Sequence, residues 1–236
     1  MAQGDSAAQR FKLSVIVPML NEQGAIVGTL EAIRRGAPNA EVIVVDGGST
    51  DGSCEAARPL CDLLLASPRG RACQMNLGAR RASGDVLAFV HADTVVPPAF
   101  CAEIGASLAD PRVVGGRFDI TLDDPGLAYR LIGAMISLRS RLSRTGTGDQ
   151  AIFARHAIFE RLGGYREIEL CEDLDFARRL KRAGRVACIR SRVITSARRW
   201  RRRGLIRTVV LMWTTRALFL LGVSPRRLSK FYGAVR

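Results

Sequence analysis

The chain has 236 residues, with 36 Lys+Arg against 22 Asp+Glu and 47% hydrophobic residues. That apolar share fills the core of one large domain, or of one domain with an appendage, and excludes a disordered, collagenous or disulfide-framework chain. No repeat of solenoid period is present. The charge is uneven: residues 1–170 hold 18 basic and 19 acidic side chains, whereas residues 171–236 hold 18 basic and 3 acidic. A near-neutral body with a strongly basic final quarter points to an anionic partner such as nucleic acid, anionic lipid or a phosphorylated substrate. A solvated basic face is the plain alternative.

The six cysteines (Cys54, Cys61, Cys73, Cys101, Cys171 and Cys188) form no C-x-x-C pair, and no His stands at zinc spacing. Reduced thiols in a cytoplasmic protein are therefore expected, and a zinc site is not. Residues 1–10 lack the apolar run of a signal peptide. No stretch of about 18 uncharged apolar residues is present to span a membrane. The nearest one, 205–223, is broken by Arg207 and Arg216.

In chain order, the β-branched run 13–18, closed by Pro18, reads as a buried strand. Ile26, Leu30 and Ile33 give helical spacing over 22–35, stopping near Gly36. Residues 41–46 read as a second buried strand, running into the turn formers Gly47, Gly48, Ser49, Thr50, Asp51 and Gly52. The pattern continues with a helix over 53–58, a strand over 62–65, a helix over 71–82 and a strand over 86–90. A helix follows over 97–108, with Pro97 and Pro98 in its first turn, and then a strand over 113–120. This alternation predicts an α/β fold whose parallel sheet is covered by helices on both faces. Ligands bind such sheets at the loops after the strands' carboxyl ends, where Asp46, Asp51 and Asp93 fall. The second half is less regular. A basic amphipathic helix is expected over 127–142, a strand over 151–154 and a short helix over 156–162, before Gly163-Gly164-Tyr165. A helix over 172–183 opens with Glu172, Asp173 and Asp175, acids that suit the positive end of a helix dipole. Residues 198–203 are five Arg around Trp200, followed by the apolar segment 205–223.

As a set, these residues resemble family 2 glycosyltransferases over about residues 12–200. The likeness runs through Ser14-Val15-Ile16-Val17-Pro18 with Asn21-Glu22, then Val44-Val45-Asp46-Gly47-Gly48-Ser49-Thr50-Asp51-Gly52. It continues through Asn76-Leu77-Gly78, Gly84-Asp85-Val86-Leu87, His91-Ala92-Asp93, Gly163-Gly164-Tyr165 and Glu172-Asp173. The resemblance implies a GT-A type nucleotide-diphospho-sugar transferase fold with a mostly parallel central sheet, and an inverting transfer. The division it suggests is a flexible segment 1–11 and a domain 12–200, with a nucleotide-binding half 12–120 and an acceptor half 121–200. A basic apolar helical segment, 201–236, follows.

The resemblance also assigns roles. Asp46 would meet the nucleoside alone, since the second acid common in the family is Gly47 here. Pro18, Asn21, Glu22, Gly48, Asn76, Ala92 and Arg199 join it around the nucleotide sugar, with Arg71 or Arg69 on the base or phosphates. Asp51 is read as a turn and N-cap residue. Asp93 occupies the metal-binding position of an Asp-x-Asp motif, implying Mg²⁺ or Mn²⁺ on the diphosphate. His91 stands where the first acid would be, and it ligates, meets the ribose or fills space. Asp173 is the general base, with Glu172 beside it. Gly148, Asp149, Gln150 and Trp200 belong to the acceptor site. Arg199 is a candidate clamp for the diphosphate. Residues 195–200, 222–225 and 91–94 also resemble a bacterial subgroup from radical-SAM and selenium gene neighbourhoods, labelled arsenosugar-biosynthesis glycosyltransferases.

The expected partners are a UDP- or GDP-linked donor and an acceptor that is a small molecule or a lipid phosphate. Peripheral contact with an anionic membrane at the inner face of the plasma membrane is the reading of the tail, with a core helix as its alternative. Nucleic acid is not expected. A nucleotidyltransferase on a related sheet and a non-catalytic nucleic-acid binder are the competing readings. The first lacks its Gly-rich loop after strand one, and the second leaves the acidic loops unexplained.

Overall fold

The computed structural model describes residues 11–232; residues 1–10 of the expected flexible start and residues 233–236 of the tail lie outside the described residues. The first strand, β1 (Leu13–Met19), is buried along its whole length, as a strand covered on both faces must be. Its alternate side chains go to two cores. Leu13, Val15, Val17 and Met19 join Val42 and Val44 on one face, and Ile16 joins Ile43 and Val45 on the other. Helix α1 (Ile26–Gly36) covers the first face with Ile26, Leu30 and Ile33, all fully buried. Truncating one of them to Ala costs about 2–5 kcal/mol. Helix α3 (Arg71–Arg81) covers the other face through Ala72, Met75 and Ala79. Its Gly78 is forced by close approach, because a Cβ there would sit 2.5 Å from Ile16 Cγ2.

The remaining elements are β2 (Glu41–Asp46), α2 (Ser53–Ala57), β3 (Leu63–Ala66), β4 (Val86–Phe89), β5 (Thr94–Val95), α4 (Phe100–Leu108) and β6 (Val113–Leu122). They continue with α5 (Leu127–Ser143), β7 (Ile152–Arg155), α6 (His156–Arg161), α7 (Glu172–Ala183) and β8 (Arg185–Thr195). Three helices close the chain: α8 (Arg198–Arg203), α9 (Leu205–Leu220) and α10 (Pro225–Tyr232). One sheet runs β3-β2-β1-β4-β7-β6-β8-β5. β1 to β4 are mutually parallel along their pairings, β7 runs antiparallel between β4 and β6, and β6 pairs parallel with β8. This is the mixed, mostly parallel α/β sheet that the resemblance implies.

Three local expectations are corrected. Helix α1 starts at Ile26 rather than 22, because Glu22 turns outward and its carbonyl receives the N–H groups of Ala25 and Ile26. Helix α4 starts at Phe100, leaving Pro97 and Pro98 in the loop before it. The chain first spends Thr94 and Val95 on a short strand against Thr195 and Ile194. The long strand β8 was not expected at all. Its three arginines interrupt the apolar run, and a register shift between Phe118 and Asp119 of β6 breaks any period of two. Among the described residues no helix is long and apolar enough to cross a membrane.

Candidate active site

A cleft of about 820 Å³ opens at the carboxyl ends of β1 and β4 and extends under α7, α8 and α9. Its floor is built by loops that brace one another. Asn21 adopts a left-handed backbone (φ 53), which points its side-chain oxygen at the Thr50 N–H (2.8 Å), while Ser49 Oγ receives the Asn21 N–H at 2.8 Å. Ser53 Oγ likewise receives the Glu22 N–H at 2.8 Å. Asp46 is 8% exposed, and its carboxylate accepts from the N–H groups of Gly48 and Ser49. Gly48 needs its φ of +91 for that turn. Asp51 receives Ser53 N–H and hydroxyl, a turn role. Pro18, Asn21 and Glu22 line the cleft; Asp46 and Gly48 stand behind it and shape the loop.

The second wall follows β4. Thr29 Oγ1 donates to the Ala92 carbonyl at 2.9 Å, and the β5–β8 pairing carries residues 195–198 alongside. Arg198 Nη2 thereby meets both oxygens of Glu22 at 2.8 Å and lies 3.7 Å from Asp93 Oδ2. Burial pushes the Asp93 carboxyl above its ordinary range and the nearby Glu22 adds to this, with Arg198 and Arg199 opposing. Among the described residues no three His, Cys, Asp or Glu side chains gather as a metal cage. The donor set nevertheless fits a divalent cation that shares its shell with a diphosphate. Asp93 is a carboxylate of raised pKa next to a second one, and a cation relieves that crowding.

The third wall comes from residues 147–174. Cys171 takes φ 67 and starts α7 at Glu172; burial, with Asp173 and Glu172 nearby, pushes its thiol up to about 12. Asp173 Oδ2 accepts the Gly148 N–H at 2.6 Å. A Cβ on Gly148 would lie 2.5 Å from His91 Nε2 and 3.4 Å from Asp173 Oδ2, so this glycine is pinned between the two. Glu172 is 3% exposed and pairs at 2.9 Å with Arg71, joining the two halves. Burial raises the Asp149 carboxyl, with Asp173 adding to the effect and the Thr147 side chain and Arg139 opposing.

The expected site residues thus divide. Pro18, Asn21, Glu22, Arg71, His91, Ala92, Asp93, Asp149, Asp173, Arg199 and Trp200 line one cleft. Asn76 instead clamps the Tyr165 backbone, its Nδ2 donating to the carbonyl at 2.8 Å and its Oδ1 receiving the N–H at 2.9 Å. Gln150 is fully buried, caps the turn with Thr147 and donates to the Phe118 carbonyl at 3.1 Å. Glu172, Gly148 and Gln150 support the wall without lining it. Sequence reasoning missed Arg139, Arg198 and Arg216, all of which line it. For Arg216 a signal was present, since it interrupts the apolar run 205–223, as Arg207 does. The tail from residue 201 is no detached appendage to this site, because Arg202, Arg203, Met212, Thr215 and Arg216 also line it.

With this geometry in place, the comparisons with known proteins agree. The sequence pattern described as Glycosyl transferase family 2 matches residues 14–166. The chain belongs to glycosyltransferase family 2. It is 28% identical over 194 residues to the succinoglycan biosynthesis protein ExoA of Rhizobium meliloti, covering 72% of this chain and 58% of that one. It is 28% identical over 169 residues to the glycosyltransferase AglE of Haloferax volcanii, covering 65% and 55%. The chain therefore spans little more than half the length of these relatives. Among solved structures, it superposes with TM-score 0.63 and 23% identity on the mannosyltransferase PcManGT of Pyrobaculum calidifontis in complex with GDP-Man and Mn²⁺, covering 78% of this chain and 56% of that one. It superposes with TM-score 0.64 and 20% identity on S. aureus TarS in complex with UDP-GlcNAc, covering 78% and 58%. At these identities the structural likeness carries the fold.

Proposed function

We propose that this family 2 member transfers a sugar from a nucleoside-diphosphate donor to an acceptor hydroxyl with inversion at the anomeric carbon. One observation carries the reading: Asp93 from the nucleotide half and Asp173 from the acceptor half line the same cleft, with eight arginines around them. The donor's diphosphate is a leaving group that needs positive charge. Arg198, Arg199, Arg202 and Arg203 supply it from α8, at the wall beside Asp93. Asp93, with His91 adjacent, would hold Mg²⁺ or Mn²⁺, and a divalent cation there neutralises charge developing on the diphosphate. Asp46 and Gly48 act by shaping the loop that receives the nucleoside.

Asp173 is the general base. The Gly148 and Leu174 N–H groups each hold one of its oxygens, and the attacking hydroxyl's proton goes to a remaining lone pair of this carboxylate as the oxygen closes on the anomeric carbon. A single displacement inverts the centre. Glu172, locked to Arg71, is a positioning residue that holds the start of α7. Solved neighbours carrying GDP-Man with Mn²⁺ and UDP-GlcNAc support a nucleotide-sugar donor and a divalent cation. The narrower likeness to the arsenosugar-labelled bacterial subgroup, through residues 91–94 and 195–200, belongs to this proposal, as does work at the cytoplasmic membrane face. The test is a thermal-shift screen of UDP, GDP, CDP and dTDP with and without Mn²⁺. One nucleotide should raise Tm in a Mn²⁺-dependent way that Asp93→Ala removes. No shift with any of the four would overturn the proposal.

A further inference from the structure

Two features of the acceptor side are left over from the donor chemistry. The first is a pair of buried arginines. Arg139 Nε and Nη2 and Arg216 Nη1 are sequestered from solvent with no hydrogen-bond partner, and so is Asp149 Oδ1. Arg216 reaches Thr145 Oγ1 at 3.0 Å through Nη2 only. Both arginines line the cleft next to Asp173. Burial lowers the pKa of each, and Arg139 brings Arg216 down further, to about 10. Asp149 and Asp173 face Arg139, and Asp173 faces Arg216, yet the guanidinium donors named above stay without a hydrogen bond, and buried idle donors beside a cleft suit an entering anion.

The second feature is an inverted amphipathic surface. Helix α5 buries Ile132, Gly133, Ile136, Ser137 and Ser140, yet it exposes Leu127, Leu131, Met135, Leu138 and Leu142 as a stripe along its outer side. Helix α9 exposes Ile206, Val210, Trp213 and Leu220 at spacings of four, three and seven. Among the described residues, most of the exposed large hydrophobic side chains belong to α5 and α9 or the residue just after. A small recess of about 30 Å³ between the two helices, lined by Met135, Val209, Met212 and Trp213, shares Arg139 with the cleft. Contiguous apolar surface of this kind marks an interaction site. The basic excess of residues 171–236, 18 to 3, matches an anionic bilayer.

We propose that the acceptor is a membrane amphiphile with a phosphate beside its attacking hydroxyl, the phosphate resting on Arg139 and Arg216 and the exposed apolar stripes of α5 and α9 facing the bilayer that holds its chain. This rests on the glycosyl-transfer reading and adds the acceptor class. The hydroxyl oxygen bonds to the anomeric carbon, the bond from that carbon to the diphosphate oxygen breaks, Asp173 takes the proton, and the nucleoside diphosphate departs. The apolar stripes hold the cleft mouth at the bilayer surface, so the lipid need not leave the membrane.

The test is flotation of the full chain with phosphatidylcholine vesicles, alone and with about one fifth phosphatidylglycerol, whose head carries a phosphate beside hydroxyls. Wild type floats with the anionic vesicles. Leu138→Glu with Trp213→Glu, both exposed, reduces the bound fraction about tenfold. Arg139→Gln with Arg216→Gln costs about tenfold as well, whereas Arg226→Gln with Arg227→Gln, the same loss of charge on the exposed tail, costs less than about threefold. In solution, glycerol 1-phosphate raises the Tm of wild type and not of the Arg139/Arg216 double variant. A far-ultraviolet circular dichroism spectrum and melt like those of wild type show that this variant is folded. Wild type left in the soluble fraction, equal losses for the two arginine pairs, no glycerol 1-phosphate shift, or light scattering showing a dimer that covers the stripes would each overturn the inference. Failure of the glycosyl-transfer reading itself would register separately, as absence of any nucleotide shift.

Discussion

Gly148→Ala isolates the geometry on which the catalytic reading depends. The added methyl would begin 2.5 Å from His91 Nε2, 3.0 Å from His91 Cε1 and 3.4 Å from Asp173 Oδ2. Non-bonded heavy atoms rest at about 3.5–4.0 Å, so the imidazole must retreat by about 1 Å or the Gly148 turn must shift by as much. The turn is poorly placed to move, because Gln150 locks it to Thr147 and to the Phe118 carbonyl. Overpacking of this size costs about 1–3 kcal/mol. In a chain of this length each kcal/mol lowers Tm by about 2–4 °C. Displacing the Gly148 N–H from Asp173, or His91 from the cleft, lowers turnover about 10²-fold. Nucleotide affinity, set by the opposite wall, should stay within about twofold of wild type. The assay is nucleotide-sugar hydrolysis, with water standing in for the acceptor, beside a thermal melt of the same sample. Adding His91→Ala makes room for the methyl, so the double variant should regain most of the lost Tm, a non-additivity that marks direct contact. Gly148→Ala with turnover within twofold of wild type would refute the idea that His91, Gly148 and Asp173 act as one fixed unit.

Further predictions follow from the same walls. Asp173→Asn should lower transfer by about 10²–10⁴-fold while calorimetric titration finds nucleotide affinity unchanged; near-normal turnover removes the base assignment. Asp93 is pushed above its ordinary value of 3.8 by burial and Glu22, so it takes up its proton earlier on acidification than a free carboxylate. Mn²⁺-dependent nucleotide binding should therefore weaken as pH falls through a midpoint above 3.8, and Asp93→Asn should flatten that dependence. The linked stability has the opposite sign: the folded form binds this proton more tightly than the unfolded chain, so Asp93 costs stability as pH rises through its folded midpoint. Urea melts of wild type and Asp93→Asn across that window would reveal it. Asn76→Ala strands the Tyr165 N–H and carbonyl that the side chain satisfies, at a cost of about 2–4 kcal/mol. Denaturant titration should show that loss with nucleotide affinity intact; the reverse result would return Asn76 to the donor site.

The strands β1 and β2 and the loops after them were legible in the chain because their signals are local. A strand buried on both faces must be a continuous apolar run, and residues 13–18 and 41–46 are such runs; the turn formers after Asp46 and the lone acid of His91-Ala92-Asp93 mark the strand ends where ligands bind. Helix α7 was legible with the bounds found, from its opening acids to Ala183. Strand β8 and the start of α4 were not. Strand β8 carries arginines on a half-exposed edge and owes its conformation to pairing with β6, a partner about 70 residues earlier. Helix α4 starts at Phe100, whose N–H bonds to the Pro97 carbonyl, so Pro97 and Pro98 stand in the turn before it.

Period and turn chemistry were enough to decide the class of fold and to place acids at the strand ends, and the resemblance of the motifs to known glycosyltransferases pointed to the family. Which of those polar groups face the cleft was settled only by long-range packing. Asp46 and Gln150 spend their hydrogen bonds on neighbouring backbone, Asn76 is drawn to Tyr165, and Arg198 reaches Glu22 across 176 positions. A side chain's hydrogen-bonding capacity is finite, and what remains for a substrate depends on which partners folding has already brought within reach.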